Sequence, residues 1–220
     1  SGKIKWYFPT QDGTFQYSTA FIDQEALYVG STDKHLYALN VKNGSLLWKF
    51  QTDGPIESGV FVNNNTVYFG SDDDNFYALN AKTGELRWKY RTGYNVSSSP
   101  VVSGEIVYYG CDDGNIYALD KSNGTLKWKY YAGSIFNSSS PAIVQNHLYI
   151  GNRNGNLYKI DKLTGAVSWN AQLGGSSEHS SPTVSDGFVY TTDNNSLYKI
   201  DLQTGTTVWK STNPGNYSSS

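Results

Sequence analysis

Methionine is absent from these 220 residues, cysteine occurs once, and only 16% of the chain is charged. A single cysteine, Cys111, excludes an internal disulfide framework and any zinc or iron–sulfur site built from several thiolates. Seventeen Lys and Arg against nineteen Asp and Glu give a net charge of −2. A nucleic-acid binder needs a basic face that releases counterions from phosphates, so nucleic acid is not an expected partner. No run of 18 apolar residues occurs, and no transmembrane segment is expected within the chain. Amphipathic stretches at 3.6-residue spacing are missing as well, which excludes helical repeats. What is abundant is Tyr (18) and Gly (22), together with Ser and Asn. These are strand and turn formers, and the chain reads as all-β.

The six tryptophans reveal the organisation. Trp6, Trp48, Trp88, Trp128, Trp169 and Trp209 are separated by 42, 40, 40, 41 and 40 residues. Four residues before each stands a glycine: Gly2, Gly44, Gly84, Gly124, Gly165 and Gly205. Eleven before all but the first stands a tyrosine: Tyr37, Tyr77, Tyr117, Tyr158 and Tyr198. A period near 40 marks a solenoid or a propeller, and secondary structure decides between them. Residues 97–103, 105–110, 116–120 and 125–131 read as four short strands joined by turns. Four strands per period is the pattern of a propeller blade. The glycine before each Trp is expected at φ > 0 between the third and fourth strands. Each Trp is expected on the outer strand, lying across to the neighbouring blade and giving its indole N–H to a backbone carbonyl. Ala38, Ala78 and Ala118 leave room for such a ring; Lys159 and Lys199 at the same place imply different packing.

The predicted architecture is one β-propeller domain of four-stranded antiparallel blades. Five complete blades run at about 15–54, 55–94, 95–135, 136–175 and 176–214, between partial blades at 1–14 and 215–220. Residues 2–6 are read as the last strand of a blade, and 217–220 as the start of another. The chain is therefore expected to be part of a longer propeller of about seven or eight blades.

Within this frame residues 70–90 and 110–130, GSDDDNFYALNAKTGELRWKY and GCDDGNIYALDKSNGTLKWKY, resemble the repeat of the quinoprotein (PQQ-dependent) alcohol dehydrogenase-like propellers. All five units fit, although Thr191 stands where Gly30, Gly70, Gly110 and Gly151 stand in the others. The resemblance implies the fold. It also implies either calcium-dependent PQQ dehydrogenases or non-catalytic relatives such as the lipoprotein of the outer-membrane barrel assembly machine. The dehydrogenases hold PQQ over a Trp floor beneath a disulfide of adjacent cysteines, with calcium on Glu and Asn and an Asp base. Here the lone Cys111 forbids that disulfide, and no Trp falls outside the repeat series.

Other chemistry is sparse. The run Asp72–Asp73–Asp74–Asn75 invites calcium, but sister blades carry Asp33, Asp112–Asp113 and Asp193–Asn194–Asn195 there, so the repeat asks for Asx turns. Cys111 stands where Ser31 and Ser71 stand, as a small buried filler. His35, His147 and His179 form no pair at metal spacing, and no Gly-x-Ser-x-Gly elbow or phosphate-cradling loop occurs. Ser97–Ser99 and Ser138–Ser140 are read as close approach of inner strands. What varies are the loops leading into each blade and those between second and third strands. Tyr17, Glu57, Tyr94, Asn95, Phe136, Asn137, Glu178 and His179 come from the first set, His35 and Arg153 from the second. Aromatics with amides and a few charges suit a protein surface or a small polar ligand.

The leading expectation is thus a non-catalytic scaffold that binds a protein or small polar ligand, with no catalytic or metal residues. The alternatives are a PQQ- and calcium-dependent dehydrogenase or its remnant, and an extracellular sensor domain. Seven Asn-x-Ser/Thr sequons (Asn43, Asn64, Asn95, Asn123, Asn137, Asn194 and Asn216) and low charge suit a secreted or cell-surface protein.

Overall fold

Short apolar runs bounded by Gly, Asn and Asp give strands too short to form anything but small sheets. The computed structural model describes residues 2–10, 12–15, 17–177 and 180–212, and among these there is no helix. Blade 1 contains β1 (Phe21–Asp23), β2 (Ala26–Gly30), β3 (His35–Asn40) and β4 (Leu46–Gln51). Blade 2 contains β5 (Phe61–Asn63), β6 (Thr66–Ser71), β7 (Asn75–Asn80) and β8 (Leu86–Arg91). Blade 3 contains β9 (Val101–Ser103), β10 (Ile106–Gly110), β11 (Asn115–Asp120) and β12 (Leu126–Tyr131). Blade 4 contains β13 (Ala142–Val144), β14 (His147–Gly151), β15 (Asn156–Asp161) and β16 (Val167–Gln172). Blade 5 contains β17 (Thr183–Ser185), β18 (Phe188–Thr192), β19 (Ser196–Asp201) and β20 (Thr207–Thr212). Each sheet pairs its strands antiparallel in sequence order, and the five stand as blades of a β-propeller.

The second and third strands are buried on both faces, so they read as near-continuous apolar runs. Four core clusters are shared between neighbouring blades: in one, Leu36 and Ala38 of blade 1 pack with Ile56, Val67 and Phe69 of blade 2. Outer strands alternate, with Trp turned inward and Lys or Arg in solvent, as in β8, where Trp88 is buried between Arg87 and Lys89. Cations on these sheet edges also oppose edge-to-edge pairing.

Tryptophan stitches one blade to the next. The indole N–H of Trp6, Trp48, Trp88, Trp128 and Trp169 donates at 2.9–3.2 Å to the carbonyls of Val41, Ala81, Lys121, Lys162 and Leu202 in the following blade. In blades 1 to 3 the hydroxyls of Tyr28, Tyr68 and Tyr108 donate to the same carbonyls as the Trp of their own blade. In blade 4 the Lys159 ammonium does so instead, reaching the Leu202 carbonyl at 2.9 Å. Lys199 of blade 5 lies over the Phe188 ring at 3.7 Å.

The glycine before each Trp serves two ends. Gly44, Gly84, Gly124, Gly165 and Gly205 all have φ between +71° and +76°. Each also lies under the Trp of the preceding blade: a Cβ on Gly124 would stand 2.6 Å from Trp88 Cε3. The spacing inside one repeat therefore encodes a contact between two.

Two expectations are corrected. Residues 2–10 form no strand, because no third strand lies beside them among the described residues, yet Trp6 still packs against Gly44. Residues 97–100 pair in no sheet either: β9 begins at Val101, and the Ser98 hydroxyl instead accepts a hydrogen bond from Gly110 N–H. The expected start of a blade at 215–220 lies outside the described residues.

Candidate functional site: the loop face

Antiparallel order puts successive connections on alternate sides. The β2–β3-type turns and the links from each fourth strand to the next blade share one face, which is the loop face. Four of its carboxylates are consumed by the fold. Oδ1 of Asp33, Asp73, Asp113 and Asp193 accepts the N–H two residues on, at 2.8–3.1 Å. Oδ2 accepts the hydroxyl of Tyr37, Tyr77, Tyr117 and Tyr198 at 2.6–2.7 Å. These are Asx turns locked by a buried tyrosine.

Asp72 is different. Its neighbour Asp73 takes the turn's hydrogen bonds, while Asp72 Oδ1 is sealed from water and meets no hydrogen-bond partner. Burial above all, with Glu57, Asp112, Asp73 and Asp74 adding negative charge, pushes its carboxyl up to about 7. Asp112 occupies the same turn position in blade 3. Its Oδ1 accepts Asn137 N–H at 2.8 Å, its Oδ2 accepts the Ser97 hydroxyl at 3.3 Å, and its own N–H donates to the Asn95 carbonyl.

Five residues across blades 2 to 4 are thus linked by charge or hydrogen bond: Glu57, Asp72, Asn95, Asp112 and Asn137. Glu57 and Asn95 are half-buried, whereas Tyr94 is 57% and Tyr17 56% exposed. Arg153 is exposed at the equivalent turn of blade 4, its N–H donating to the Ile135 carbonyl. His35 stands apart on blade 1; its Nδ1 lies 3.0 Å from the Asp33 carbonyl, beside a separate cavity of about 300 Å³ shared with Asp12 and Lys49. Glu178 and His179 lie outside the described residues.

Phe136 does not belong to the loop face. It is fully buried in the core between blades 3 and 4, with its ring against Gly110. It occupies the position of Ile56, Val96 and Ser177, the side chains that pack on Gly30, Gly70 and Gly151. A Cβ on any of these glycines would come within 2.6 Å of that partner, so the glycine column records close approach of the next blade. Asp72 and Asp112 are the residues missed. Their signal was a variable column, Thr32, Asp72, Asp112, Arg153 and Asp193, beside one that is always Asp or Asn.

Cys111 is fully buried, with its thiol donating to the carbonyls of Tyr94 and Asn95 at 3.3 Å. Burial pushes the thiol up to about 12, which suits a filler. Near the axis, Gly59 N–H donates to Ser99 Oγ, Ser99 N–H to Ser140 Oγ, and Ser140 N–H to Ser181 Oγ. The serines tie blades 2 to 5 together around the inner strands.

The described residues do not fit PQQ with calcium. Trp48, Trp88, Trp128 and Trp169 all sit on outer strands with their N–H groups engaged by the next blade. Among the described residues no group of three or more His, Cys, Asp or Glu side chains converges to hold a metal.

Blades, tryptophan ties and loop face together define a β-propeller of the PQQ-like repeat class. Within it, the chain belongs to the family described as outer membrane protein assembly factor BamB, whose model matches residues 1–211. Among curated proteins, none matches the sequence. BamB from Moraxella catarrhalis is 23% identical, with a TM-score of 0.75 over 91% of this chain and 65% of that one. The computationally designed Ika8 protein is 17% identical, with a TM-score of 0.75 over 88% of this chain and 60% of that one. Quinohemoprotein alcohol dehydrogenase ADHIIG from Pseudomonas putida HK5 is 20% identical, with a TM-score of 0.74 over 89% of this chain and 41% of that one. The chain therefore spans less than two thirds of each, and the likeness is one of fold.

Proposed function

We propose that the chain is a non-catalytic propeller scaffold whose loop face binds a partner protein through a cationic group. The observation that carries this reading is Asp72: a half-buried carboxylate with an unpartnered oxygen, flanked by Glu57 and Asp112. Although that oxygen is sealed, the carboxyl group as a whole is only half-buried, and a lysine or arginine approaching its exposed side offsets the cost of holding the charge there. The exposed rings of Tyr17 and Tyr94 give the same face apolar contact area. Membership of a family described as an assembly factor supports a protein over a small ligand. The same family, described by its part in outer membrane protein assembly, supports a location outside the cytoplasm, in keeping with a secreted or cell-surface protein. So do the exposed sequons Asn43, Asn64 and Asn123 on the opposite face. Among the described residues no helix is long and apolar enough to cross a membrane.

Calorimetric titration of the protein with PQQ, with and without calcium, tests the non-catalytic reading. No heat is expected in either case. Calcium-dependent binding at micromolar or tighter concentration would overturn the scaffold reading in favour of the dehydrogenase.

A further inference from the structure

The face opposite the loops carries a cavity of about 330 Å³ at the junction of blades 1 and 2. It exists because side chains that close the same gap elsewhere are small here. Ala26 stands where the sister blades carry Thr66, Ile106, His147 and Phe188. At the next junction Arg87 Nη1 reaches across to Thr66 Oγ1 at 2.9 Å, but its counterpart in blade 1 is Leu47. Ala81 is the second small residue. Its counterparts are Lys121, whose ammonium reaches the Gly104 carbonyl, and Lys162, whose ammonium bridges Gln145 of its own blade and Ser103 of blade 3. Two independent truncations, Ala26 and Ala81, thus coincide at one junction, where Leu47 also makes no polar closure, and leave space of the size that small ligands fill.

The walls of that space have a definite chemistry. Asp23, the last residue of β1, contributes a half-buried carboxylate from the blade 1 side. Lys82, on the β7–β8 turn, contributes an ammonium from the blade 2 side. Among the described residues, neither the Asp23 carboxylate nor the Lys82 ammonium has a hydrogen-bond or ion-pair partner, whereas nearby Glu25 and Lys42 are paired. Between them the floor is Tyr28, whose hydroxyl is spent on the Ala81 carbonyl, with Leu47 alongside. Opposite unpaired charges on facing walls over an apolar floor complement one molecule that carries both signs.

We propose that this cavity binds a small zwitterion with an apolar body, its ammonium towards Asp23 and its carboxylate towards Lys82. An aliphatic amino acid and a short peptide share that chemistry. The site is independent of the loop-face reading. The test is an NMR titration of the labelled protein with leucine, dialanine and trialanine, with butylamine, butyrate and glucose as partial or uncharged probes. One zwitterion is expected to shift the amides of residues 23–26, 65 and 81–82, with Kd near or below about 1 mM. The member that binds best identifies the source, free amino acid or peptide. The single-charge probes should bind at least about tenfold more weakly, as should Asp23→Asn and Lys82→Gln. Ala26→Ile, which installs the residue of blade 3, should abolish binding. If no zwitterion shifts these amides at about 10 mM, if glucose binds equally well, or if the two charge variants bind as the wild type, the proposal fails.

Discussion

Replacing Gly124 by alanine should cost far more than replacing Gly104, although both glycines lie in blade 3 at positive φ. Gly104 has φ +59° with nothing within 4 Å of its missing Cβ, so alanine there meets only the left-handed backbone penalty. That penalty is about 1–2 kcal/mol. Gly124 has φ +74°, and a Cβ would stand 2.6 Å from Trp88 Cε3 and 2.8 Å from Cδ2. Trp88 is 9% exposed and held by its bond to the Lys121 carbonyl at 3.1 Å, so it cannot retreat without losing that bond. Overpacking of this kind adds about 1–3 kcal/mol, for a total of about 2–5. Urea denaturation of the two variants, followed by indole fluorescence, measures the difference, because shifts in midpoint at constant slope report stability. Gly124→Ala should lose about 1–3 kcal/mol more than Gly104→Ala. Equal losses would refute the claim that each Trp rests on the next blade's glycine.

Three further outcomes follow from buried groups. Tyr109 is stacked on Phe76 at 4.1 Å between ring centroids, and its fully buried hydroxyl has no partner. Tyr109→Phe, the residue that blade 2 carries as Phe69, should therefore raise stability by about 1 kcal/mol in the same assay; a loss of that size would mean the hydroxyl is bonded. Asp72 has its carboxyl raised to about 7 in the fold against an ordinary 3.8, so the folded state holds the extra proton. Its contribution is complete below pH 3.8 and falls away as pH rises through 7. Asp72→Asn should accordingly raise Tm more at pH 8 than at pH 5, and an equal effect at both would contradict the burial argument. The Cys111 thiol should resist an aromatic disulfide reagent at pH 8 until the protein is unfolded in urea; rapid native labelling would show that it is accessible.

The fold was legible because its determinants repeat. Six tryptophans and their glycines state the blade, and the contact across blades recurs often enough to be seen as a column. The loop face was harder to read for a physical reason. Asp72 and Asp73 are chemically identical neighbours, and only backbone geometry decides which carboxylate closes the turn and which is left over. Phe136 reads as a loop aromatic because it stands in a connection rich in serine and asparagine. Its burial follows from Gly110 in a different strand, a pairing that the columns held but that composition hides. Lys159 looked like a disruption of the tyrosine–alanine pattern, yet it restores by ammonium the bond to Leu202 that a tyrosine hydroxyl makes elsewhere.

The most direct test of the central claim is an NMR titration of the protein with an arginine-containing peptide, in the wild type and in Asp72→Asn. The account requires shifts confined to the amides around Glu57, Asp72, Asn95, Asp112 and Asn137, weakened by salt and by at least about tenfold in the variant. Shifts elsewhere on the propeller, or binding that ignores the loss of Asp72, would contradict it.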